Sequence, residues 1–420
     1  MFAPFQSVNL SAAALLAMAV AAPASGQEAA QAFALPETVQ FHGFLGQRLT
    51  HTDHNDFFGR TEGRLSAETT ELGANVSWRL HPAWLVSAQA TSRRSGESYD
   101  GDVEVDYSFI GWTPVDAGDT RVMARLGQLK LPYGLSNETR DTPGTRQGII
   151  LSQGIYFDAM RAYNQKTPMG LNLEAEQTIG DGSLALNWTR GKPTTSDKNA
   201  ELYVFGREEP GRFHGKNAQL VRLLYDHRGG LVRIGLSLAK GTIGYAPGTG
   251  ELWPLAVPGI GTVQASPLDG RIEFAHRIVS AQYNTERWSL TLESNRSQTN
   301  LFSTLFHQAL GTHASEVRKD GTHWYLEGIW RFTPRWEALL RYDKGYDDRA
   351  AKSDWTKTSI DRTIGIRHRP DSRWLLSGEF HAVDGVSWLP PADNMRNGVF
   401  SPGALSRRWN LLMFQVSRQF

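Results

Sequence analysis

The chain has 420 residues, with 44 Lys and Arg against 43 Asp and Glu, so its formal net charge is only +1. This balance gives no polybasic signature for nucleic acid, and the absence of cysteine excludes disulfide frameworks and cysteine–zinc sites. The mean hydropathy of −0.40 suits a soluble protein, but it equally suits a barrel with a wet interior, in which only alternate residues face lipid.

The first segment of the chain has the features of an export signal. The apolar stretch Leu10–Ala22 is too short to span a membrane as a helix, and Ala24-Ser25-Gly26 supplies small residues before a cleavage site at Gln27. Residues 1–9 contain no Lys or Arg, which departs from the usual basic start and leaves the true start codon open. A buried helix of a soluble protein is the alternative. We predict a cleaved signal peptide at 1–26 and one domain at 27–420.

Downstream, apolar and polar residues alternate with a period of two, which indicates β-strands. The clearest stretches are 71–80, 324–332 and 374–381. Short connections rich in Pro, Gly, Asn and Asp alternate with long polar ones. The short turns are predicted at 81–83, 113–120, 180–182, 226–230, 284–287, 333–335 and 369–373. The long loops are predicted at 49–65, 93–102, 131–168, 191–217, 240–274, 297–321, 345–360 and 382–406.

Seven turns and eight loops separate sixteen strands. An even number of strands, with short turns at one end and long loops at the other, is typical of bacterial transmembrane barrels. A soluble or adhesive β-sandwich is the alternative, but it has no reason to place every long loop at one end. The predicted fold class is therefore all-β, a transmembrane antiparallel β-barrel of about 16 strands.

Aromatic residues recur at the same position in four hairpins. Trp84, Trp288, Trp336 and Trp374 each follow a short turn and begin an apolar row. An indole ring is favoured where one end of it meets lipid and the other meets water. We therefore predict that these four rings mark one membrane interface.

The last predicted strand, 408–420, ends in Phe420, and Val416 and Phe414 lie on the same face. This pattern resembles the C-terminal signal that the barrel assembly machinery recognises in outer-membrane proteins. Arg418 departs from it, because the third position from the end is usually apolar. The resemblance implies that Phe414, Val416 and Phe420 form an assembly signal.

When the apolar rows are assigned to lipid, many charged residues remain for the inside of the barrel. Charges in a dry core would be prohibitive, so they predict a wide, water-filled lumen. Their balanced signs predict weak ion selectivity unless a constriction separates the charges. The inward set contains Arg79, Arg93, Arg121, Arg125, Arg222, Arg233, Arg331, Arg341, Arg367, Glu71, Glu104, Asp106, Glu174, Glu176, Glu293, Glu327, Glu337 and Glu379.

The third and longest loop, 131–168, has the composition of a constriction. Its apolar stretches 148–151 and 154–157 need a surface to pack on, whereas its charged residues need water. Folding inward against the barrel wall satisfies both. A lid over the top, or a loop that only stiffens the wall, is the alternative. The predicted pore-lining residues are Arg140, Asp141, Arg146, Asp158, Arg161 and Lys166 in the loop, with Arg93 and Arg125 as wall partners.

Two stretches carry a family resemblance: 126–141 (LGQLKLPYGLSNETRD) and 152–158 (SQGIYFD). They are similar to a porin-like group of outer-membrane proteins of mostly undefined substrate. Sixteen strands with a long third loop also resemble the bacterial porin family across the mature chain. The resemblance implies passive diffusion of small solutes, assembly as a homotrimer and a third loop that lines an eyelet. It does not give a substrate.

Other functional readings have weaker support in the sequence. The stretch 51–56 (HTDHND) has metal-capable side chains, but a solvated loop explains it equally. The chain has no nucleophile-elbow, phosphate-loop or zinc-protease motif. A barrel hydrolase that uses His276 or His381 stays an alternative, as does a channel selective for anions or small carboxylates.

The predicted protein is therefore a passive diffusion channel of the outer membrane, without enzymatic activity or a cofactor. Its expected partners are outer-membrane lipid and lipopolysaccharide, the barrel assembly machinery and small solutes, and no nucleic acid.

Overall fold

The computed structural model describes residues 36–160, 166–193, 201–202, 211–248, 252–257, 261–308, 311–397 and 399–420. The predicted signal peptide lies outside these residues. The strands are β1 (Val39–Thr52), β2 (Ser66–His81), β3 (Trp84–Ser95), β4 (Tyr99–Ala117), β5 (Thr120–Lys130), β6 (Lys166–Ile179), β7 (Gly182–Gly191), β8 (Arg212–His227), β9 (Val232–Ala246), β10 (Trp253–Val257), β11 (Gly261–Asn284), β12 (Trp288–His307), β13 (Gly311–Arg331), β14 (Trp336–Tyr346), β15 (Thr358–His368), β16 (Trp374–Gly385), β17 (Met395–Arg396), β18 (Val399–Phe400) and β19 (Arg408–Gln419). Single-turn 3-10 helices lie at Asp158–Met160, Arg349–Ala351, Trp355–Lys357, Ala392–Asn394 and Pro402–Ala404. Within the described ranges, no helix has the length and apolar character needed to cross a membrane.

Sixteen of these strands form one closed antiparallel barrel. Each strand from β1 to β8 pairs with the next, β9 pairs with β11, and β11 to β16 again pair in order. β16 pairs with β19, and β19 pairs with β1, which closes the barrel. Closure gives the first and last strands of the barrel hydrogen-bond partners on both sides, and a sheet surrounded by lipid requires this because no water is there to pair with its backbone. The predicted fold class and strand number are confirmed. β10 adds a short pairing on β11, and β17 and β18 form a separate two-strand hairpin.

The outer face of the barrel is apolar because the side-chain period of a strand is two. Large apolar side chains are exposed on alternate positions, such as Leu72 and Val76 on β2. Near the short turns the outer row becomes aromatic: Trp84 stacks on Trp112 at 6.0 Å, and Trp288 stacks on Trp330 at 5.6 Å between ring centroids. An apolar band bordered by aromatic rings is the outer surface that a membrane-spanning barrel presents to lipid.

Six of the seven predicted turns fall within a residue or two of the observed ones, and the predicted turn 113–120 is too long. β4 continues to Ala117, and only Gly118 and Asp119 separate it from β5. The strand passes Pro114 by a register shift between Trp112 and Val115, since proline cannot donate a ladder hydrogen bond. A proline can therefore mark a bulge within a strand as well as a turn, and the sequence does not distinguish the two here.

Three of the predicted long loops are mostly strand. In place of 297–321 the structure has a hairpin whose arms, β12 and β13, run to His307 and from Gly311. β9 and β11 likewise extend into 240–274, and β3 and β4 leave only 96–98 between them in place of 93–102. Beyond the membrane both faces of a strand meet water, so the ladder continues after the apolar alternation has ended.

Candidate functional site

Residues 131–160, the described part of the predicted constriction loop and hereafter loop 3, contact the inner face of the barrel at many points. The side chain of Gln147 donates a hydrogen bond to Thr291 on β12, at 3.2 Å. The backbone N–H of Ile149 donates to Glu379 on β16, at 2.5 Å. These wall residues alternate with the exposed apolar row, so loop 3 lies against the inside of the wall.

One cluster of buried charges joins loop 3 to β2 and β3. Arg146 forms an ion pair with Glu71, and Arg93 lies 3.5 Å from both Glu71 and Asp158. Arg140 donates to Asp158 at 2.5 Å. Charge-assisted hydrogen bonds such as these are stronger than neutral ones. The cluster therefore holds both the middle and the end of loop 3.

A second cluster holds both ends of loop 3 against β11, β12 and β13. Glu293 on β12 accepts hydrogen bonds from Tyr156 (2.6 Å), Tyr325 (2.7 Å), Ser280 (2.5 Å) and the backbone N–H of Leu135 (3.0 Å). A buried carboxyl group avoids the penalty of unsatisfied oxygens when several donors surround it, as they do here. Tyr156 and Leu135 belong to loop 3, so this carboxylate fixes the loop to the wall.

A third set of contacts comes from β14 and β15. Arg341 donates to the carbonyl of Ile150 at 3.0 Å and lies 3.3 Å from Glu327 on β13. Arg367 donates to the carbonyl of Gln147 at 2.9 Å. These two arginines satisfy backbone carbonyls of a loop that has no ladder partner of its own.

Apolar packing completes the attachment of loop 3. Ile149 and Ile150 lie in a buried cluster with Trp409 and Met413 on the inner face of β19. A second buried group joins five residues of loop 3 to the wall residues Leu220, Ala239, Ile278 and Tyr325; the five are Leu131, Tyr133, Leu151, Ile155 and Tyr156. Full burial of one such aliphatic side chain stabilises by about 1.5–3 kcal/mol.

The structure brings most of the predicted pore residues together, but it buries them. Arg140 and Arg146 are 3% and 5% exposed, and Asp141 and Asp158 are also buried. Asp141 binds Lys130 at 2.7 Å. The prediction that these loop charges line the water path is therefore corrected: they form ion pairs that attach the loop. The same correction applies only to part of the inward set. Buried members are Glu71, Asp106, Glu293, Glu327, Arg341, Arg367 and Glu379, whereas Arg79, Arg121 and Glu104 are exposed.

Arg125 is not brought to loop 3 as predicted. Among the described residues it pairs with Glu174 on the neighbouring strand β6, at 3.3 Å, and lies over Phe109. Arg161 lies outside the described residues, and for Lys166 the structure describes only the backbone at the start of β6.

Sequence reasoning missed the most accessible charge among the residues of loop 3 that the structure describes. Glu138 of loop 3 has a side chain 36% exposed and forms an ion pair with Arg222 on β8, at 2.8 Å. A glutamate in a polar stretch gives no signal that separates it from a solvated surface residue. Arg222 was predicted only to face inward, and with Arg125 and Glu174 it gives this side of the lumen charges of both signs.

A cavity of about 140 Å³ lies on the outer side of loop 3. Ile155 and Phe157 of the loop line it together with Phe274 of β11, His323 of β13 and Trp388 of the loop after β16. Space is therefore present between the loop and the outer parts of these strands.

The two histidines that a barrel hydrolase would use, His276 and His381, make polar contacts with neighbouring residues of the barrel wall. His381 is completely buried, with Nδ1 2.8 Å from Asp361 and Nε2 3.3 Å from Glu379. His276 forms a hydrogen bond with Asn295 at 3.2 Å. His381 has no surface from which to reach a substrate in this conformation.

The alternative cation site at 51–56 is not supported. Asp53 accepts from the backbone and side chain of Asn410, and Asp56 accepts from the backbone N–H groups of Thr61 and Glu62. In the described part of the chain, no group of three or more His, Asp or Glu side chains is arranged to hold a metal ion.

No protein-family model matches the chain. No curated protein matches it at a significant level either.

Solved structures of outer-membrane proteins are similar to the chain over most of its length. OmpF of Salmonella typhi, in complex with daunomycin, has a TM-score of 0.56 at 10% identity, covering 91% of this chain and 97% of that one. An anion-selective porin from Comamonas acidovorans has a TM-score of 0.53 at 13% identity, covering 91% and 99%. A trimer form of the outer membrane protein OmpT of Vibrio cholerae has a TM-score of 0.52 at 10% identity, covering 91% and 99%. The chain has the sixteen-stranded barrel fold of outer-membrane porins.

Proposed function

We propose that the protein is a passive diffusion channel for small hydrophilic solutes, with loop 3 as the element that narrows its lumen. The observation that carries the proposal is the attachment of loop 3 to the inner wall by three separate sets of buried contacts. A loop held in this way keeps one position while water and solutes pass beside it. The shared fold of the porins supports the same function.

The position of the partly accessible charges supports a route for solutes on the β5 to β8 side of the lumen. Glu138 and Arg222 lie there, and Arg125 and Glu174 are partly accessible on the neighbouring strands. A fixed charge acts more strongly in a narrow passage than on an open surface, because less water screens it. Since both signs are present, we expect only weak ion selectivity.

Transport rather than catalysis is part of this proposal. The burial of His381 speaks against its use as a general base on an external substrate. Purified protein in detergent should therefore leave ester substrates intact, and the His381→Ala variant should give the same background rate. Hydrolysis that depends on His381 would favour the barrel hydrolase.

The exposed apolar band supports insertion into the outer membrane, with lipid and lipopolysaccharide as surroundings and the barrel assembly machinery as the insertion partner. We also propose a homotrimer, as the trimer form of the Vibrio cholerae protein suggests. Chemical cross-linking of intact outer membranes tests this: a ladder that stops at three copies is expected, and a monomer alone would contradict it.

Single-channel recording in planar bilayers tests the role of loop 3. A variant shortened between Thr142 and Gly154 should conduct more KCl than the wild type, provided that unboiled protein still migrates as a folded barrel in SDS gels. Arg222→Glu should shift the reversal potential in a salt gradient toward cations. The matched control is Arg318→Glu on the outer part of β13, where the side chain is 75% exposed. Equal conductance of the shortened variant, or equal shifts for both substitutions, would overturn the narrowing role.

A further inference from the structure

The cavity on the outer side of loop 3 is lined by aromatic and aliphatic side chains together with a few polar ones. Ile155 and Phe157 of loop 3, Phe274 of β11 and Trp388 form much of its apolar lining. Polar groups of β12 and β13, among them Asn295, complete it. Aromatic side chains contact another ring favourably in stacked or edge-to-face geometry. The apolar part of the lining therefore suits a flat aromatic molecule.

The walls of the cavity are held in place by packing outside it. Trp388 contacts the rings of Phe57 and Trp409, at 5.3 and 5.2 Å between ring centroids. Ile155 belongs to the buried group that joins loop 3 to the wall. A site whose side chains are already fixed binds a ligand without the cost of ordering them.

The size of the cavity matches a single ring. Its volume is about 140 Å³, and an apolar cavity of about 150 Å³ is large enough to take up benzene. The cavity is partly open, so a solute can enter it while loop 3 keeps its position.

One buried polar atom of the lining is not used by the protein. The side-chain N–H of Asn295 donates to Nδ1 of His276 at 3.2 Å. The carbonyl oxygen Oδ1 of Asn295 accepts no hydrogen bond from the described residues, although the residue is only 2% exposed. A buried acceptor without a donor costs free energy. A solute that carries a hydroxyl group beside its ring would remove this cost.

The charges of the lining favour an uncharged solute. Lys319 and Asp347 supply one formal charge of each sign, with histidine counted as neutral. The cavity therefore has no net formal charge to compensate an ion for its lost hydration.

We propose that this cavity binds a small uncharged aromatic solute of the phenol class. The ring lies among Phe157, Phe274 and Trp388, and the hydroxyl group donates to Oδ1 of Asn295. The inference deepens the channel function by naming a solute class, and it rests on loop 3 lying inside the lumen. A solute held here reaches the narrow part of the lumen at a raised local concentration.

Isothermal titration calorimetry with phenol tests the proposal, with toluene and benzoate as probes that carry the same ring. Phenol should bind the folded protein in detergent saturably and about fivefold more tightly than toluene, the factor for one neutral hydrogen bond. Benzoate should bind more weakly than phenol, because the lining does not compensate its charge. Partition into detergent is common to all variants, so differences between variants report on the cavity.

Asn295→Leu replaces the amide by an apolar side chain of similar size and should remove the preference for phenol over toluene. The matched control is Asn172→Leu, which exchanges another buried asparagine on the inner face of β6 and should keep the preference. Thr299→Phe fills the cavity with a ring and keeps Asn295, so it should lose the binding of both solutes. Migration of unboiled protein in SDS gels shows that each variant is folded.

Equal affinity of the wild type for phenol and toluene, or tighter binding of benzoate, would overturn the inference. A preference that persists in Asn295→Leu, or saturable phenol binding in Thr299→Phe, would do the same. A wild type that conducts KCl but binds no phenol would refute this inference alone. Phenol binding without conductance would instead refute the channel function and leave the site intact.

Discussion

Glu71 on β2 and Arg146 in loop 3 form a buried ion pair across 75 residues of sequence. Their side chains are 7% and 4% exposed, and Arg93 approaches the same carboxylate. A buried pair of this kind defines a position more than it adds net stability, because both charges lose their water. The position of loop 3 within the lumen therefore depends on this contact.

Removing one partner of that pair should be costly. Arg146→Ala leaves Glu71 buried with less compensation, and we expect a loss of about 3–5 kcal/mol in the free energy of unfolding. Urea titration of the reconstituted protein measures it. The control is Arg228→Ala, which breaks an exposed pair with Asp181 and should cost at most about 1 kcal/mol. Similar losses in the two variants would contradict the anchoring role of Arg146.

The carboxylate of Glu293 offers a second test. Tyr325→Phe removes one donor at 2.7 Å and keeps the ring, so the free energy of unfolding should fall by about 1–3 kcal/mol, the cost of leaving a buried acceptor without its donor. Tyr283→Phe, on the outer face of β11, should change the unfolding free energy very little. An unchanged midpoint for Tyr325→Phe would show that water replaces the lost hydroxyl.

Asp393 in the last outer loop predicts a pH dependence. Burial raises the pKa of Asp393 to about 7, although the backbone N–H groups of Glu97 and Gly59 donate to it and oppose the shift. Between its unfolded pKa near 4 and about 7, the folded protein binds more protons than the unfolded one. Stability should therefore fall as the pH rises through this window.

The Asp393→Asn variant should lose that slope in urea unfolding measured between about pH 5 and pH 8. The control is Asp371→Asn in a short turn. Backbone N–H groups of Arg373 and Trp374 lower the pKa of Asp371, so its contribution is lost only at more acidic pH. A slope that persists in Asp393→Asn would assign it to another group.

The sequence predicted the barrel, its sixteen strands and six turns because lipid imposes a period of two on each outer face. It also predicted that 131–168 needs a surface for its apolar residues, and the contacts of Ile149 and Ile150 are of the kind this requires; the narrowing role stays a prediction. The pairing of Glu71 with Arg146 could not be predicted, since nothing local links residues so far apart. The partner of Arg125 could not be predicted either: it is Glu174 on the adjacent strand β6, and not a residue of loop 3.

The inner face of β19 shows another limit of sequence reading. Trp409, Leu411 and Met413 are buried on the side opposite Phe414, so both faces of this strand are apolar. A rule that assigns apolar rows to lipid fails wherever the lumen holds an apolar cluster. The partner residues, Phe57 and Trp388, lie in outer loops that the sequence marks only as polar.

Phe420 should act in assembly rather than in transport. Its backbone exchanges two hydrogen bonds with Gly43, at 2.8 and 3.0 Å, and its ring lies over that glycine. Deletion of Phe420 should lower the yield of folded barrel, while the molecules that do fold conduct as the wild type does. Gel migration of unboiled protein measures the yield. Phe380→Ala, on the outer face of β16, is the control and should fold normally; equal yields of the deletion and the wild type would refute the signal.

The orientation of the barrel can be tested with inserted tags. Gly311 begins β13 at the outer end of the β12–β13 hairpin, whereas Asp181 lies in a two-residue turn at the other end of the barrel. A tag beside Gly311 should be labelled on intact cells, and a tag at Asp181 only after the outer membrane is opened. The reverse labelling would overturn the orientation.

The hydrogen bonds between the first outer loop and the start of β19 have a consequence for how the barrel closes. Asp53 binds Asn410, and Asn55 exchanges two hydrogen bonds of 2.8 Å with the backbone of Ser406. A slip of one residue between β1 and β19 would turn the inner row of β19 out to lipid. The same slip would break the hydrogen bonds of Asp53 and Asn55. These bonds therefore favour the correct alignment of β1 and β19 when the barrel closes.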